Sequence, residues 1–326
     1  MRRAGIVAIS LVAALCAVVV LVSGLLMAAQ QWRESRDVGP PAGALFATAG
    51  DVAIHYVSFG PSDGPPLIIV PGTAAWSGFW RAAAERIGAA GFHVLAIDLP
   101  PFGFSERPAS GAYGRADQAE RLAAFIAALK LERPIVLAHS FGAGAAVELA
   151  LRKPDLPGRL VLVDAALGLP PEGQSYPPDA AISRFAMGRP WLARALVDVV
   201  MTNPLLTRTL LAKLLHKTDA ATEEQATILR EPYGRRGTSA AYAQWLPSLL
   251  FPDRSALSAD PGNYASLKAP VALIWGSEDA VTPLGQARRL MTIAPNATLD
   301  VIEGAGHIPH IEDEASFVAA VTSRLR

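Results

Sequence analysis

Ile135-Val136-Leu137-Ala138-His139-Ser140-Phe141-Gly142-Ala143-Gly144-Ala145-Ala146 is the stretch on which the fold turns. Four consecutive apolar residues read as a short strand covered on both faces, and the small-residue run after Gly142 reads as a helix packed close to it. Between them a serine stands at the apex of a turn, with Ala138 and Gly142 two positions to either side. Such a strand–turn–helix strains the serine backbone and turns the free amides of the helix N-terminus toward its oxygen. A small-x-Ser-x-Gly string is common by itself; its place after a buried strand gives it weight.

Working outward, residues 67–70, 94–97, 160–163 and 271–275 are short apolar runs of the same kind, and 297–302 completes the set. Residues 46–48 and 52–59 bracket Ala49-Gly50-Asp51 and read as a hairpin. Residues 118–129 place Leu122, Phe125, Ile126 and Leu129 on one helical face. This alternation predicts an α/β fold with a mostly parallel sheet. Residues 167–267 carry no strand pattern, so they are expected to form a helical cap inserted before the penultimate strand. Within the cap, 194–201 and 205–216 are apolar helical patterns, and Thr222-Glu223-Glu224-Gln225 is a capping-box start.

The chain of 326 residues is 51% hydrophobic and 18% charged, with a mean hydropathy of +0.29, which excludes a disordered chain. Lys+Arg 29 against Asp+Glu 29 leaves no net charge, so no nucleic-acid partner is expected. The one cysteine, Cys16, rules out an intramolecular disulfide and any multi-cysteine metal site. No charged residue lies between Arg3 and Arg33. A helix over residues 6–27 would be about 33 Å long, the thickness of a bilayer core. The run exceeds the apolar stretch of a cleaved signal peptide, and Met27-Ala28-Ala29 is a poor cleavage site. Residues 1–37 are therefore expected to be a cytoplasmic tip and transmembrane signal anchor with the lipid bilayer as partner, and 38–326 the folded domain. Arg2 and Arg3 are unopposed, whereas Arg33 and Arg36 are offset by Glu34 and Asp37. This places the N-terminus in the cytoplasm and the domain outside it.

Six stretches now stand in order: Val70-Pro71-Gly72-Thr73; Asp98-Leu99-Pro100-Pro101-Phe102-Gly103-Phe104-Ser105; Ala138-His139-Ser140-Phe141-Gly142; residues 160–164; Trp275-Gly276-Ser277-Glu278-Asp279; and Gly304-Ala305-Gly306-His307. In this the chain from about residue 45 onward resembles the α/β-hydrolase superfamily, in its single-domain branch with a helical cap. The resemblance implies that Ser140 is a nucleophile, His307 its base and Asp279 the acid, in the chain order of that family. It implies an oxyanion hole from the amides of Phe141 and of Thr73 or Ala74. Two positions depart from the pattern: Pro71 precedes Gly72 where His-Gly is usual, and Pro101 replaces a glycine of the Asp-x-x-Gly-x-Gly loop.

Elementary chemistry agrees with these roles. A serine hydroxyl needs an adjacent base, an imidazole titrates near neutrality, and a carboxylate fixes its tautomer. Alternatives stand beside each: His310 three residues after His307, and Asp164 directly after the strand at 160–163. His55, His93 and His216 read as structural or surface histidines, and so does His139 unless it meets substrate. Ala74, Trp76, Trp80 and His139 are the candidate substrate contacts, with Trp191, Trp245, Phe185 and Leu249 lining a pocket or binding cap to core. His307-x-x-His310 is too little for a metal site, and no cofactor is expected. The resulting expectation is a membrane-anchored serine hydrolase acting on an ester or related acyl bond of an apolar small molecule. C–C bond hydrolysis or a cofactor-free haloperoxidase reaction on the same triad is the alternative. Epoxide hydrolase or dehalogenase chemistry would require Asp at 140, and a binding module would be expected to lack one of the three residues.

Overall fold

A computed structural model describes residues 2–169, 188–251 and 253–325. Eight strands form one sheet: β1 (Leu45–Ala49), β2 (Val52–Phe59), β3 (Pro66–Val70), β4 (His93–Ile97), β5 (Ile135–His139), β6 (Arg159–Val163), β7 (Val271–Gly276) and β8 (Ala297–Ile302). Their order is β1-β2-β4-β3-β5-β6-β7-β8. The β1–β2 and β2–β4 pairings are antiparallel, and every later pairing is parallel. Every strand expected from the apolar runs is present, and β7 is buried at all six positions, as a two-faced strand must be.

The helices are α1 (Arg2–Ser35), α2 (Arg81–Ala89), α3 (Arg115–Ala128), α4 (Gly142–Arg152), α5 (Pro190–Leu196), α6 (Pro204–Ala212), α7 (Glu223–Arg230), α8 (Thr238–Leu250), α9 (Gly285–Ile293), α10 (Pro309–Glu312) and α11 (Glu314–Leu325). On one face of the sheet, Leu122 and Phe125 of α3, Val147 of α4 and Leu290 of α9 pack into a single core. On the other, Ile87 of α2 and Phe317 and Val321 of α11 do the same. The sheet is thereby covered twice, which forces the site to the carboxyl edge of the strands.

Between β6 and β7 the described residues form the expected helical cap, α5 to α8. Two of its elements differ from the periodic pattern. The helix read over 194–201 is α5 running into a π turn over Val197–Met201. That read over 205–216 ends at Ala212, because the amides of His216 and Lys217 are bonded to the Glu312 carboxylate at 2.8 and 2.7 Å. The Thr222 side chain does accept the Gln225 amide at 3.2 Å and starts α7. Phe185 lies outside the described residues.

The end of α1 is built into the cap. Glu34 is buried and accepts from the amides of Ser239 (2.8 Å) and Gly237 (3.0 Å), from the Ser239 hydroxyl and from Gln30 Nε2 (3.1 Å). Gln30 also donates to the Tyr233 carbonyl at 3.0 Å, and the Val38 amide to that of Gly234 at 3.2 Å. The chain just past the helix stays joined to the cap as well, the Arg236 amide donating to Asp37 at 3.0 Å. Among the described residues no single helix is long and apolar enough to cross a membrane, while the bent pair Pro190–Met201 and Pro204–Ala212 meets that length and composition together at an angle of 74°. Of the span expected over 6–27, the side chains at 6–12, 15 and 16 lie outside the described residues; of those described, Val18, Val20, Leu21 and Leu25 are exposed.

Replacing Glu34 by Ala leaves the Ser239 and Gly237 amides without an acceptor. The cost is expected to be about 2–3 kcal/mol, read as a lower Tm and as faster proteolysis of the segment between α7 and α8.

Candidate active site

Ser140 sits where β5 gives way to α4, with φ of 49° in the left-handed region. That backbone is disfavoured for a residue with a Cβ. It is held here by hydrogen bonds from its amide to the Val163 carbonyl (3.0 Å) and from the Ala143 and Ala166 amides to its own carbonyl (3.1 and 3.0 Å). The turn closes only because its neighbours lack side chains. A Cβ on Gly142 would lie 2.5 Å from the Pro71 carbonyl oxygen, and one on Gly72 would lie 2.9 Å from Cβ of Ser140. The small residues of the motif thus serve the approach of the β3 loop to the β5 turn.

His307, in the loop after β8, reaches the same edge: its Nε2 is 2.9 Å from Ser140 Oγ, and its Nδ1 is 2.8 Å from Asp279 Oδ2. Its amide donates to the Leu214 carbonyl of the cap at 2.9 Å, so the cap helps to set the ring's position. Asp279, past β7, receives four hydrogen bonds: His307 Nδ1, the Thr282 hydroxyl at 2.6 Å, and the amides of Val281 (2.7 Å) and Thr282 (2.9 Å). Ser140, Asp279 and His307 are all buried. With Nδ1–H donated to Asp279, Nε2 is free to accept the serine proton. Such a chain can pass a proton from the hydroxyl to the ring and hold the resulting charge. Thr282 was not singled out in the sequence; its spacing of three from Asp279 was the available signal.

Burial pushes the Asp279 carboxyl up, but the His307 hydrogen bond and charge, with Thr282, outweigh this and hold it down at about 2. His139, fully enclosed beneath His307, is pushed down to about 3, first by burial and then by the His307 charge. Its Nε2 lies 2.8 Å from the His307 carbonyl and must therefore be the donor. His310 is likewise driven well down by burial and stacks on Trp80 at 3.6 Å, with neither ring nitrogen partnered. It is therefore placed in the core, away from the serine.

Among the described residues, the amides of Phe141 and Thr73 have no hydrogen-bond acceptor, and that of Ala74 has none either. Thr73 and Ala74 line a cavity of about 330 Å³ above Ser140, together with His139 and His307. Unpaired amides at a serine's turn are donors ready for a developing oxyanion. The cap closes the cavity with Met201, Leu210, Leu211, Leu214, Leu229, Tyr233 and Leu249. Trp76 and Trp80 do not line it: the Trp76 indole donates to the Ile228 carbonyl at 2.8 Å, fastening core to cap, and Trp80 is buried against His310 and Phe317. Both expectations of substrate contact are corrected by these partners. Trp245 packs on Phe102 and Phe141, and Trp191 is exposed. Asp98 ties its own loop together through Ser77, Phe104 and His55.

One oxygen of Asp164, one of Asp279 and a ring nitrogen of His307 lie within 4.8 Å of one another. An ion held there would compete with the hydrogen bond between His307 Nδ1 and Asp279.

If Ser140, His307 and Asp279 act as a unit, Ser140→Ala and His307→Ala each remove nearly all turnover and the double variant loses little more; steady-state kinetics of the three variants checks this. Stability should also fall in acid. His139 stays neutral in the folded state down to about pH 3, whereas the unfolded chain takes up a proton near 6.5. Its contribution is present above that value and lost as pH falls. In His139→Gln the decline of unfolding free energy between pH 6 and pH 4 is expected to be shallower by about 1.4 kcal/mol per pH unit, measured by denaturant titration.

Residues 65–314 match the model of the alpha/beta hydrolase fold family. A 2-hydroxymuconate semialdehyde hydrolase of Pseudomonas putida is 29% identical over 272 residues, covering 81% of this chain and 88% of that protein. Among solved structures, a meta-cleavage product hydrolase from Pseudomonas fluorescens is similar with a TM-score of 0.67 at 24% identity, over 86% of this chain and 96% of its own. A bacterial membrane phospholipase A is similar with a TM-score of 0.68 at 23% identity, over 100% and 98%. The sheet order, the inserted cap and the match over most of the chain lead to one conclusion: this protein belongs to the alpha/beta hydrolase fold family.

Proposed function

We propose that this hydrolase cleaves an ester or related acyl bond of an apolar small molecule through an acyl-enzyme on Ser140. Ser140 Oγ attacks the acyl carbon as His307 Nε2 takes its proton. The oxyanion is met by the amides of Phe141 and Thr73. His307, steadied by Asp279, then protonates the leaving oxygen, and a water activated by the same ring releases the acid.

The observation that carries this reading is the cavity's lining, which among the described residues contains no Lys, Arg, Asp or Glu. An acyl chain enters such a space with a gain from burial, whereas a carboxylate loses its hydration without a counter-ion. This separates the proposal from a second one, C–C bond hydrolysis on the same residues. That alternative is favoured by relatives named as hydrolases of 2-hydroxymuconate semialdehyde and of 2-hydroxy-6-oxo-2,4-heptadienoate. The second name describes a carboxylate substrate, for which the described lining residues offer no Lys or Arg.

We further propose that α1 anchors the protein in a lipid bilayer with its N-terminus cytoplasmic. The uncharged run between Arg3 and Arg33 supports this, as does the likeness of the whole chain, α1 included, to a structure named a membrane phospholipase A.

The test is a panel of p-nitrophenyl esters on the full chain from fractionated cells. Activity should sit in the membrane fraction and be blocked by a fluorophosphonate. kcat/KM should rise with acyl length to on the order of ten heavy atoms, the number that fills the cavity at roughly 30 Å³ each. Turnover of a hydroxy-oxo-dienoate without turnover of any ester would favour the second reading.

A further inference from the structure

Asp164 ends β6 as Ser140 ends β5, with a similar positive φ, 43° against 49°. Its amide is fixed to the Ile274 carbonyl at 3.1 Å. Its side chain is wholly buried, Oδ1 accepts the Gly276 amide at 2.9 Å, and Oδ2 receives no donor. A carboxyl oxygen lies within 4.8 Å of both Asp279 and the His307 ring. The mechanism above gives this residue no task.

Two carboxylates so close in so dry a site do not both ionise. Asp279, with four donors, keeps its charge; burial first, then the Asp279 charge, raise Asp164 far above the usual carboxylate range. The titratable groups acting on Asp164 are Asp279 and Glu312 on α10, whose negative charges act in the same direction. His307 stands in the same cluster. Of the two oxygens, Oδ2 is the one no donor occupies and so the one open to carry a proton. Two carboxyls sharing one proton carry one negative charge, which matches the one positive charge His307 gains when it takes the serine proton.

We propose that Asp164 is a positioning residue of this relay: its Oδ2–H donates to the Asp279 carboxylate and holds it on His307 Nδ1, and when residue 279 cannot carry a charge Asp164 becomes the carboxylate that pairs with His307. This rests on the reading of Ser140, His307 and Asp279 as the reacting set. It does not rest on the substrate, so the test uses the rate of fluorophosphonate labelling of Ser140.

Rates are measured from pH 5 to 9 for the wild type, Asp164→Asn, Asp279→Asn and the double variant, with Tm recorded for each. An amide at 164 still donates toward Asp279, still accepts from Gly276 and tolerates positive φ, so Asp164→Asn should slow labelling by about threefold at most. Asp279→Asn should be slowed by up to about 10⁴ at low pH and recover tenfold or more through one ionisation as pH rises. The double variant should stay at the floor across the range. Should Asp164→Asn fail to fold, Asp164→Ser, which also lacks an ionisable group, replaces it at both corners with the same flat profile expected beside Asp279→Asn. A loss of equal factor from the 164 substitution in both backgrounds would overturn the proposal, as would an Asp279→Asn profile without the added ionisation. Absence of labelling in the wild type would instead remove the underlying reading of the triad.

Discussion

The site depends on one tight approach, that of the β3 loop to the turn after β5. Ser140 can occupy its left-handed backbone only because Gly72 and Gly142 let Pro71 and the serine backbone come within contact of each other. From that approach follow the aim of Oγ at His307 Nε2 and the unpaired amides at Thr73 and Phe141. A larger residue at either glycine would move backbone, since the nearest atom to a Cβ on Gly142 is a carbonyl oxygen and cannot rotate away. The departures from the family pattern at Pro71 and Pro101 leave this approach intact, because what it requires is the glycine and its amide neighbours.

Desolvation sorts the titratable groups around the serine into charged and neutral members. Asp279 keeps its charge because four donors replace its water. His139 and His310, with no carboxylate bonded to either, remain neutral, His139 tilted against His307 and His310 edge-on to His139. The difference lies in hydrogen-bond supply, not depth, since all are buried. Neutral neighbours also leave Asp279 as the main partner for an imidazolium.

The cap joins both ends of the chain to this chemistry. Leu214 accepts the His307 amide, Trp76 bonds Ile228, and Tyr233, a wall of the cavity, has its carbonyl bonded to Gln30 of α1. The helix ahead of the domain is thereby in physical contact with the element that shapes the cavity. Glu34 holds that contact through donors that the cap itself leaves unpaired, so α1 and the α7–α8 junction complete one another.

The strands, their parallel run and the cap's place before β7 were legible from residues 135–146 and the apolar runs around them, and the trio Ser140, Asp279 and His307 from the six ordered stretches that carry the family resemblance. Buried parallel strands must be continuous and apolar, so local pattern sufficed for the sheet, and a serine turn between such a strand and a small-residue helix gave the motif its weight. What pattern could not place were groups whose surroundings come from distant segments. Trp76 and Trp80 stand near the oxyanion loop in sequence, yet their partners, Ile228 and His310, lie far along the chain and turn them away from the cavity. The helix at 204 stops early because Glu312, about a hundred residues on, takes the amides that would have continued beyond it. Asp164 and Asp279 look alike as residues after strands; only the folded arrangement gives four donors to one and one to the other. Sequence determined which groups reach the carboxyl edge of the sheet, because that follows from strand order and spacing. Tertiary structure alone decided which of them are charged there, because protonation is set by the water excluded and the donors supplied by neighbours remote in the chain.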